Sequence, residues 1–304
     1  MNILLTGGAG FIGSHVADAY LAEGHKVVVV DNLSTGNREL VPKGAIFYPV
    51  DITSSDIYQI MGDEKIEVIN HHAAQISIQE SVQNPDKDAN SNIIGTLQLL
   101  QNAISFKVAR VVFASTGGAI YGELNSVSAD ESTPPAPYSP YAISKLCAEH
   151  YLDFFKNVHG LDRVILRYSN VFGPRQNPQG EAGVVAIHCH RLARGDQPII
   201  FGDGEQTRDF IFVQDVVSAN IKALDENITG VFNVGTGRET SVNELTKTLI
   251  DISGKETEID YQPAKAGDLI RSAINPKRFN NLGWSSEHSL KDGLLETYRY
   301  FENS

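Results

Sequence analysis

Tyr141 and Lys145 stand four residues apart in the stretch YAISK, directly after Pro140. At helical spacing the phenol and the ammonium share one face. A free tyrosine ionises near pH ~10 and is a poor base near neutrality. An ammonium about 5 Å away, at an effective dielectric of about 20, stabilises the phenolate by roughly 3 kcal/mol. The spacing therefore predicts a phenol that ionises about two pH units lower and can take a proton from a substrate hydroxyl. Upstream, RVVFAS reads as a strand that delivers Ser115 and Thr116. Successive strand residues point to opposite faces, so one of the two hydroxyls serves the site. Thr116 is the better placed, with Ser115 as a helper or a packing residue.

Those residues need a frame. NILLT (2–6), KVVVVD (26–31), AIFYPV (45–50), IEVIN (66–70), RVVFAS (110–115) and RVILRY (163–168) read as buried strands. Between most of them lie helical patterns, as at 11–23, 87–106 and 141–158. This alternation predicts an α/β fold with a doubly wound parallel sheet covered on both faces. The loop TPPAPYSP (133–140) is too rich in proline for strand or helix and ends where the Tyr141 helix begins. After residue 168 the loops lengthen and the strands shorten, with PIIFG, RDFIFV and VFNVG and helices near 184–194, 214–226, 241–253 and 288–302. The expected division is a nucleotide-binding domain of residues 1–168 plus roughly 213–236, and a smaller α/β substrate-binding lobe of 169–212 and 237–304.

Between the first strand and the first helix lies TGGAGFIGS (6–14). It fits G-x-G-x-x-G through Gly8, Gly10 and Gly13, and G-x-x-G-x-x-G through Gly7, Gly10 and Gly13. Glycines permit the tight turn and let the backbone approach a pyrophosphate, with Phe11 and Ile12 opening the helix. The helix N-terminus offers free N–H groups and a positive dipole end to the anion. Asp31 ends the second strand about 20 residues on, where the dinucleotide fingerprint places a carboxylate for the ribose hydroxyls. It would repel a 2′-phosphate, so NAD is expected over NADP. A cationic nicotinamide ring would lower Tyr141 further.

Composition narrows the function classes. The chain of 304 residues has 25 Lys and Arg against 37 Asp and Glu, a formal charge of −12. An acidic chain without a basic stripe is a poor nucleic-acid binder and lacks a polybasic membrane segment. No export signal or membrane-length apolar run is visible after Met1. Cys147 and Cys189 make no disulfide framework. A soluble, reduced, cytoplasmic protein is expected. No metal is expected. His71 and His72 are adjacent on a strand end and face opposite ways, and HCH (188–190) has no face-sharing pair on a helix.

The ordered series TGGAGFIGSH, VVDNLSTG, HHAAQISIQESVQNP, NIIGT, STGGAIYGE, SPYAISK, LRYSNVFGPRQ, FGDGEQTRDFIFVQD, FNVGTG and GDL runs nearly end to end. In it the chain resembles the extended short-chain dehydrogenase/reductase family, and more closely the UDP-glucose 4-epimerases and related nucleotide-sugar epimerases. The resemblance implies that Tyr141 takes the O4 proton, helped by Thr116, while hydride passes from C4 to bound NAD. A 4-keto sugar turns about its diphosphate link and receives hydride on its other face.

The resemblance also assigns positions. Asp31 and Asn32 would meet the adenosine ribose, and Asp51 and Ile52 would flank the adenine. Ala73, Ala74 and Gln75 would line the cofactor, supported by Asn92. Asn170 and Arg208 would bind the diphosphate, Phe201 and Gly202 the uracil, and Asp268 the uridine ribose. Lys265 stands where the family often has arginine, so bidentate phosphate contact is lost there. Ser272 falls where the C2 substituent is sensed, and its small side chain would leave room for an N-acetyl group. The helices at 87–106 and 141–158 carry apolar residues beyond one stripe, among them Ile93, Ile94, Leu97, Leu146, Leu152, Phe154 and Phe155. Burial against the sheet would explain them, but the resemblance implies a homodimer in which these two helices pair with their copies, and that is expected here.

Other readings differ in what they require. A 4,6-dehydratase needs an acid–base pair after the threonine, where Gly117 and Gly118 stand. A UDP-glucuronate epimerase or decarboxylase needs a carboxylate pocket, for which Arg175, Arg191 or Arg271 are available. A non-catalytic NAD-binding module would have no need to keep Tyr141, Lys145 and Thr116 together.

Overall fold

Along the first strand Ile3 and Leu5 join one apolar cluster and Leu4 the other, and the second strand divides Val27 and Val29 from Val28 and Val30 in the same way. That alternation makes a sheet with two buried faces. The structure, a computed structural model, describes residues 1–123, 128–179, 183–264 and 269–304. β1 (Asn2–Thr6), α1 (Phe11–Ala22), β2 (Lys26–Val30), β3 (Ile46–Tyr48), α2 (Asp56–Asp63) and β4 (Val68–His71) come first. Then follow α3 (Ile78–Gln83), α4 (Pro85–Ala89), a π-helical turn (Asn90–Ile94), α5 (Gly95–Ser105), β5 (Arg110–Thr116), α6 (Gly117–Ile120), α7 (Pro140–His159) and β6 (Asp162–Tyr168).

Together with strand Gly230–Val234 these strands form a seven-stranded sheet, ordered Gly230–Val234, β6, β5, β4, β1, β2, β3. β1 pairs in parallel with β2 on one side and β4 on the other. The strand order reverses between β1 and β4, and ligands bind at such a switch point, outside the carboxyl ends of the strands. The Rossmann-like sheet expected from the sequence is therefore present. One face is covered by Leu99, Leu100 and Ala103 of α5 with Ala148, Leu152 and Phe155 of α7. The other is covered by Val16, Ala17 and Tyr20 of α1. Each of the Leu, Val and Phe side chains among them contributes on the order of 2 kcal/mol by burial. β3 is shorter than the expected 45–50, because an edge strand has one neighbour to hold it.

Two details aim the chemistry. The helix expected over 87–106 is interrupted: Gly95 N–H bonds back to Asn90 O, a π-type step that re-aims the residues between. α7 begins at Ser139, whose hydroxyl accepts from Ala142 N at 3.2 Å, with Pro140 at the first helical position. It ends at Gly160, in the left-handed region at φ 73°.

Contacts group the chain into two units, Met1–Ile120 with Pro137–Arg167 and Val217–Phe232, and Tyr121–Ala136 with Tyr168–Val216 and Asn233–Ser304. Tyr121–Ala136 thus goes with the second unit, where the sequence reading keeps it with the first. In the second unit Phe210–Phe212 pairs in parallel with Asn170–Phe172, and Ile199–Phe201 with Asp260–Gln262. Thr207–Arg208 lies between Thr240–Ser241 and Arg271–Ser272. Among the described residues no helix is long and apolar enough to cross a membrane.

Candidate active site

The glycine loop is built for close approach. Gly7 has φ 72°, and a Cβ there would lie 2.6 Å from Ala73 N. A Cβ on Gly13 would lie 2.2 Å from Gly7 O. At Gly10 the nearest such atom is Gly7 O at 3.2 Å, and no side chain caps α1. The first-turn N–H groups at Phe11, Ile12 and Gly13 therefore have no capping oxygen from Gly10, an arrangement that suits a pyrophosphate. Asp31 is buried, accepting from Ala9 N at 3.0 Å and Leu33 N at 2.8 Å. Each oxygen keeps a further lone pair for a ribose hydroxyl, and the charge disfavours a second phosphate. Asn32 donates to Asp51 at 2.6 Å, and Thr53 donates to the other Asp51 oxygen. Ile52 lies in the core, where its Cδ1 would meet a Cβ on Gly95 at 2.6 Å. The loop and Asp31 fit a dinucleotide.

At the end of β5 the two hydroxyls separate as strand alternation requires. Thr116 turns to the other side, where its hydroxyl favours the ionised form of the Tyr141 phenol. Ser115 donates to Glu149 at 2.5 Å, and Glu149 is held by Arg167 through Nε at 3.0 Å and Nη2 at 2.5 Å. Lys145 Nζ donates to Ala114 O at 2.9 Å and lies 4.7 Å from the Phe113 ring centroid. Burial pushes the Lys145 ammonium down to about 8, against the opposing pull of Asp88 and Glu149.

Tyr141 corrects the sequence expectation. Burial raises the phenol well above its ordinary range, the Asp88 charge adds to this, and the Thr116 hydroxyl opposes both. Spacing alone predicts a lowered phenol because it counts the lysine charge and omits the loss of water. In this site desolvation is the larger effect.

The cofactor wall expected after β4 is a buried polar cluster. Gln75 N donates to Asn92 Oδ1 at 2.9 Å, and Asn92 Nδ2 reaches Gln75 O at 2.9 Å, Asp88 at 3.0 Å and Ser144 at 3.1 Å. Ala73 N donates to Thr6 Oγ1 at 3.2 Å, with Ala74 between Ala73 and Gln75. Asp88, Glu149, Ser144 and Arg167 are absent from the sequence-based site. Asp88 sits in the charged run PDKDAN, yet it is 1% exposed. His71 is a structural group between Thr6 at 2.7 Å and Thr96 at 3.0 Å.

In the second unit Ser272 pairs in register with Arg208, Asp209 N donates to Ser272 O at 3.0 Å, and Asn170 N donates to Asp209 O at 2.9 Å. Asn170, Arg208 and Ser272 thus gather around one short segment. Buried Asp209 anchors it through Thr236 N at 2.9 Å and Gly237 N at 3.1 Å. Phe201 is part-exposed, and Gly202 has φ 81°. Lys265 and Asp268 lie outside the described residues. Among the described residues no group of three or more His, Cys, Asp or Glu is arranged to hold a metal.

Known proteins share this fold. A solved UDP-glucose 4-epimerase from Thermotoga maritima, bound to UDP-glucose, superposes with a TM-score of 0.97 at 47% identity, covering 100% of this chain and 99% of that one. The Thermus thermophilus UDP-glucose 4-epimerase, complexed with NAD, gives 0.96 at 41% identity and 100% coverage of both chains. UDP-glucose 4-epimerase of Mycolicibacterium smegmatis is 42% identical over 310 residues, covering 100% of this chain and 99% of that protein. Residues 3–235, which hold the glycine loop, Thr116, Tyr141 and Lys145, match the NAD dependent epimerase/dehydratase family, and the chain belongs to that family.

Proposed function

We propose that the protein is an NAD-dependent UDP-hexose 4-epimerase, interconverting UDP-glucose and UDP-galactose. The observation that carries this reading is the end of β5, where the Thr116 hydroxyl acts on the Tyr141 phenol and the Ala114 carbonyl holds Lys145 Nζ at 2.9 Å. It is supported by the similarity to epimerases that bind UDP-glucose and NAD. Bound NAD supplies the hydride acceptor and a positive charge. Thr116 steadies the phenol, and Tyr141 accepts the proton of the sugar C4 hydroxyl as the C4–H bond breaks. Lys145, drawn toward its charged form by Asp88 and Glu149, offsets the negative charge that the Tyr141 phenolate carries before it takes the proton. The same residues return the proton when the 4-keto sugar is reduced on its other face. In this reading residues 1–168 with 213–236 serve the dinucleotide, and 169–212 with 237–304 serve the nucleotide sugar. Asn170 and Arg208 bind diphosphate, Phe201 and Gly202 the uracil, with Lys265 and Asp268 beside them.

Two arginines suggested for a uronate are engaged elsewhere. Arg271 pairs with Glu239 at 2.7 Å, and Arg191 donates to Gln197 O at 2.6 Å. A neutral sugar is therefore favoured. Ser272, small and buried, extends the proposal to UDP-GlcNAc and UDP-GalNAc. The test is incubation with UDP-galactose, UDP-GalNAc and UDP-glucuronate, with C4 stereochemistry read by NMR. Inversion of the first two supports the reading; inversion of uronate alone overturns it.

The protein is further proposed to act in the cytoplasm as a homodimer. Ile94, Ile143, Phe154 and Val158 are 44%, 53%, 50% and 59% exposed on the π-turn and α7, an apolar surface that a second copy would cover.

A further inference from the structure

Asp88 is a buried carboxylate whose hydrogen-bond partners, among the described residues, are neutral. Its Oδ1 accepts from Gln75 Nε2 and Asn92 Nδ2, each at 3.0 Å. Asn92 also donates to Ser144 Oγ, and Ser144 donates to Tyr141 O at 2.9 Å. A hydrogen-bonded path thus runs from Asp88 to the backbone of the Tyr141 residue itself. Glu149, the other carboxylate acting on Lys145, is neutralised by Arg167. An unneutralised carboxylate in low dielectric acts strongly on nearby titratable groups.

We propose that Asp88 is a positioning residue for catalysis: its buried carboxylate fixes Gln75 and Asn92 and, through Ser144, the backbone of Tyr141, and its charge acts on the Tyr141–Lys145 pair. The proposal rests on the epimerase reading of the site. Other groups facing the pair do not replace Asp88. His71 and His72 at the end of β4 are kept neutral by burial and by Lys145, and His72 is pushed down to about 3. Arg167 of β6 is committed to Glu149, and Lys87, next to Asp88, pairs with Glu80 at 2.8 Å on the surface. From β5 the pair meets the Thr116 hydroxyl, the Ala114 carbonyl and the Phe113 ring.

Removing one negative charge lowers the ionisation point of every neighbour, Tyr141 and Lys145 alike. The test compares NAD-loaded wild type with Asp88→Asn, Asp88→Ser and Asp88→Glu. The pH profile of kcat is recorded, together with ultraviolet phenolate absorbance referenced to Tyr141→Phe. The expected result is that Asn and Ser move both limbs of the profile, and the phenolate transition, to lower pH by about one unit. Glu, which keeps the charge, leaves them in place. A lower rate with unmoved limbs in Asn and Ser overturns the proposal and leaves Asp88 a structural acceptor. If Asn does not fold, Ser and Glu still separate charge from shape. If wild type turns over no UDP-sugar, the epimerase reading fails, and the phenolate transition still reports whether Asp88 acts on Tyr141.

Discussion

The Ser115 hydroxyl donates to Glu149 at 2.5 Å, while the hydroxyl of its neighbour Thr116 acts on the Tyr141 phenol. One step along β5 thus separates an anchor from the hydroxyl proposed to serve the chemistry. Thr116→Val should lower kcat about tenfold to a hundredfold with little change in stability. Ser115→Ala should do the reverse, destabilising by about 2 kcal/mol through the lost bond to a charged acceptor while kcat stays near wild type. Steady-state kinetics and urea melts on both variants check this. Equal kcat losses would mean that Ser115 serves the chemistry too.

Tyr141→Phe removes the proton acceptor and leaves the helix intact. The expected loss is about 10²–10⁴ in kcat with KM nearly unchanged. Undiminished epimerisation by this variant would falsify the assignment of the base.

The Glu149–Arg167 pair is buried, with side chains 4% and 7% exposed. Glu149→Leu leaves a buried guanidinium without its carboxylate and should destabilise by about 3–5 kcal/mol. Glu149→Leu combined with Arg167→Met should recover much of that loss, measured by chemical denaturation.

The glycines separate folding from binding. Gly13→Ala places a Cβ 2.2 Å from Gly7 O and should disrupt the loop, lowering the melting temperature as well as cofactor retention. Gly10→Ala meets no backbone closer than 3.2 Å and should fold while losing NAD affinity. Calorimetry of the stripped proteins and NAD titration distinguish the two.

Buried neutral histidines predict acid sensitivity. Burial holds His188 near 4 and His72 near 3, below the 6.5 of an exposed histidine. The folded state then binds fewer protons than the unfolded state below pH 6.5. Their contribution is complete above that value and is lost as pH falls toward 4 and 3. Denaturation at a series of pH values should show stability declining below pH ~6.5, with a shallower decline in His188→Gln. An identical slope in that variant removes His188 as a cause.

The strand runs, the glycine loop, Asp31, the capped start of α7 and the Tyr141–Lys145 spacing are all legible in the sequence, because each is local. Thr116 is legible one step further, since strand alternation sorts it from Ser115. Asp88 and Glu149 are not. Both are charged residues on helices whose apolar positions alone signal burial, and the packing that encloses them, with α7 seated on the sheet, is tertiary.

The sequence by itself determined the order of strands and helices and the local motifs, the glycine loop and the Tyr141–Lys145 spacing, from which the proposed chemistry is read. Glycine conformation, proline geometry and hydrophobic period act over a few residues and need no knowledge of the rest. Only the tertiary structure decided the charge balance around the phenol. Loss of water depends on everything that surrounds a group, and here it is the largest influence on Tyr141, with the Asp88 charge acting in the same direction.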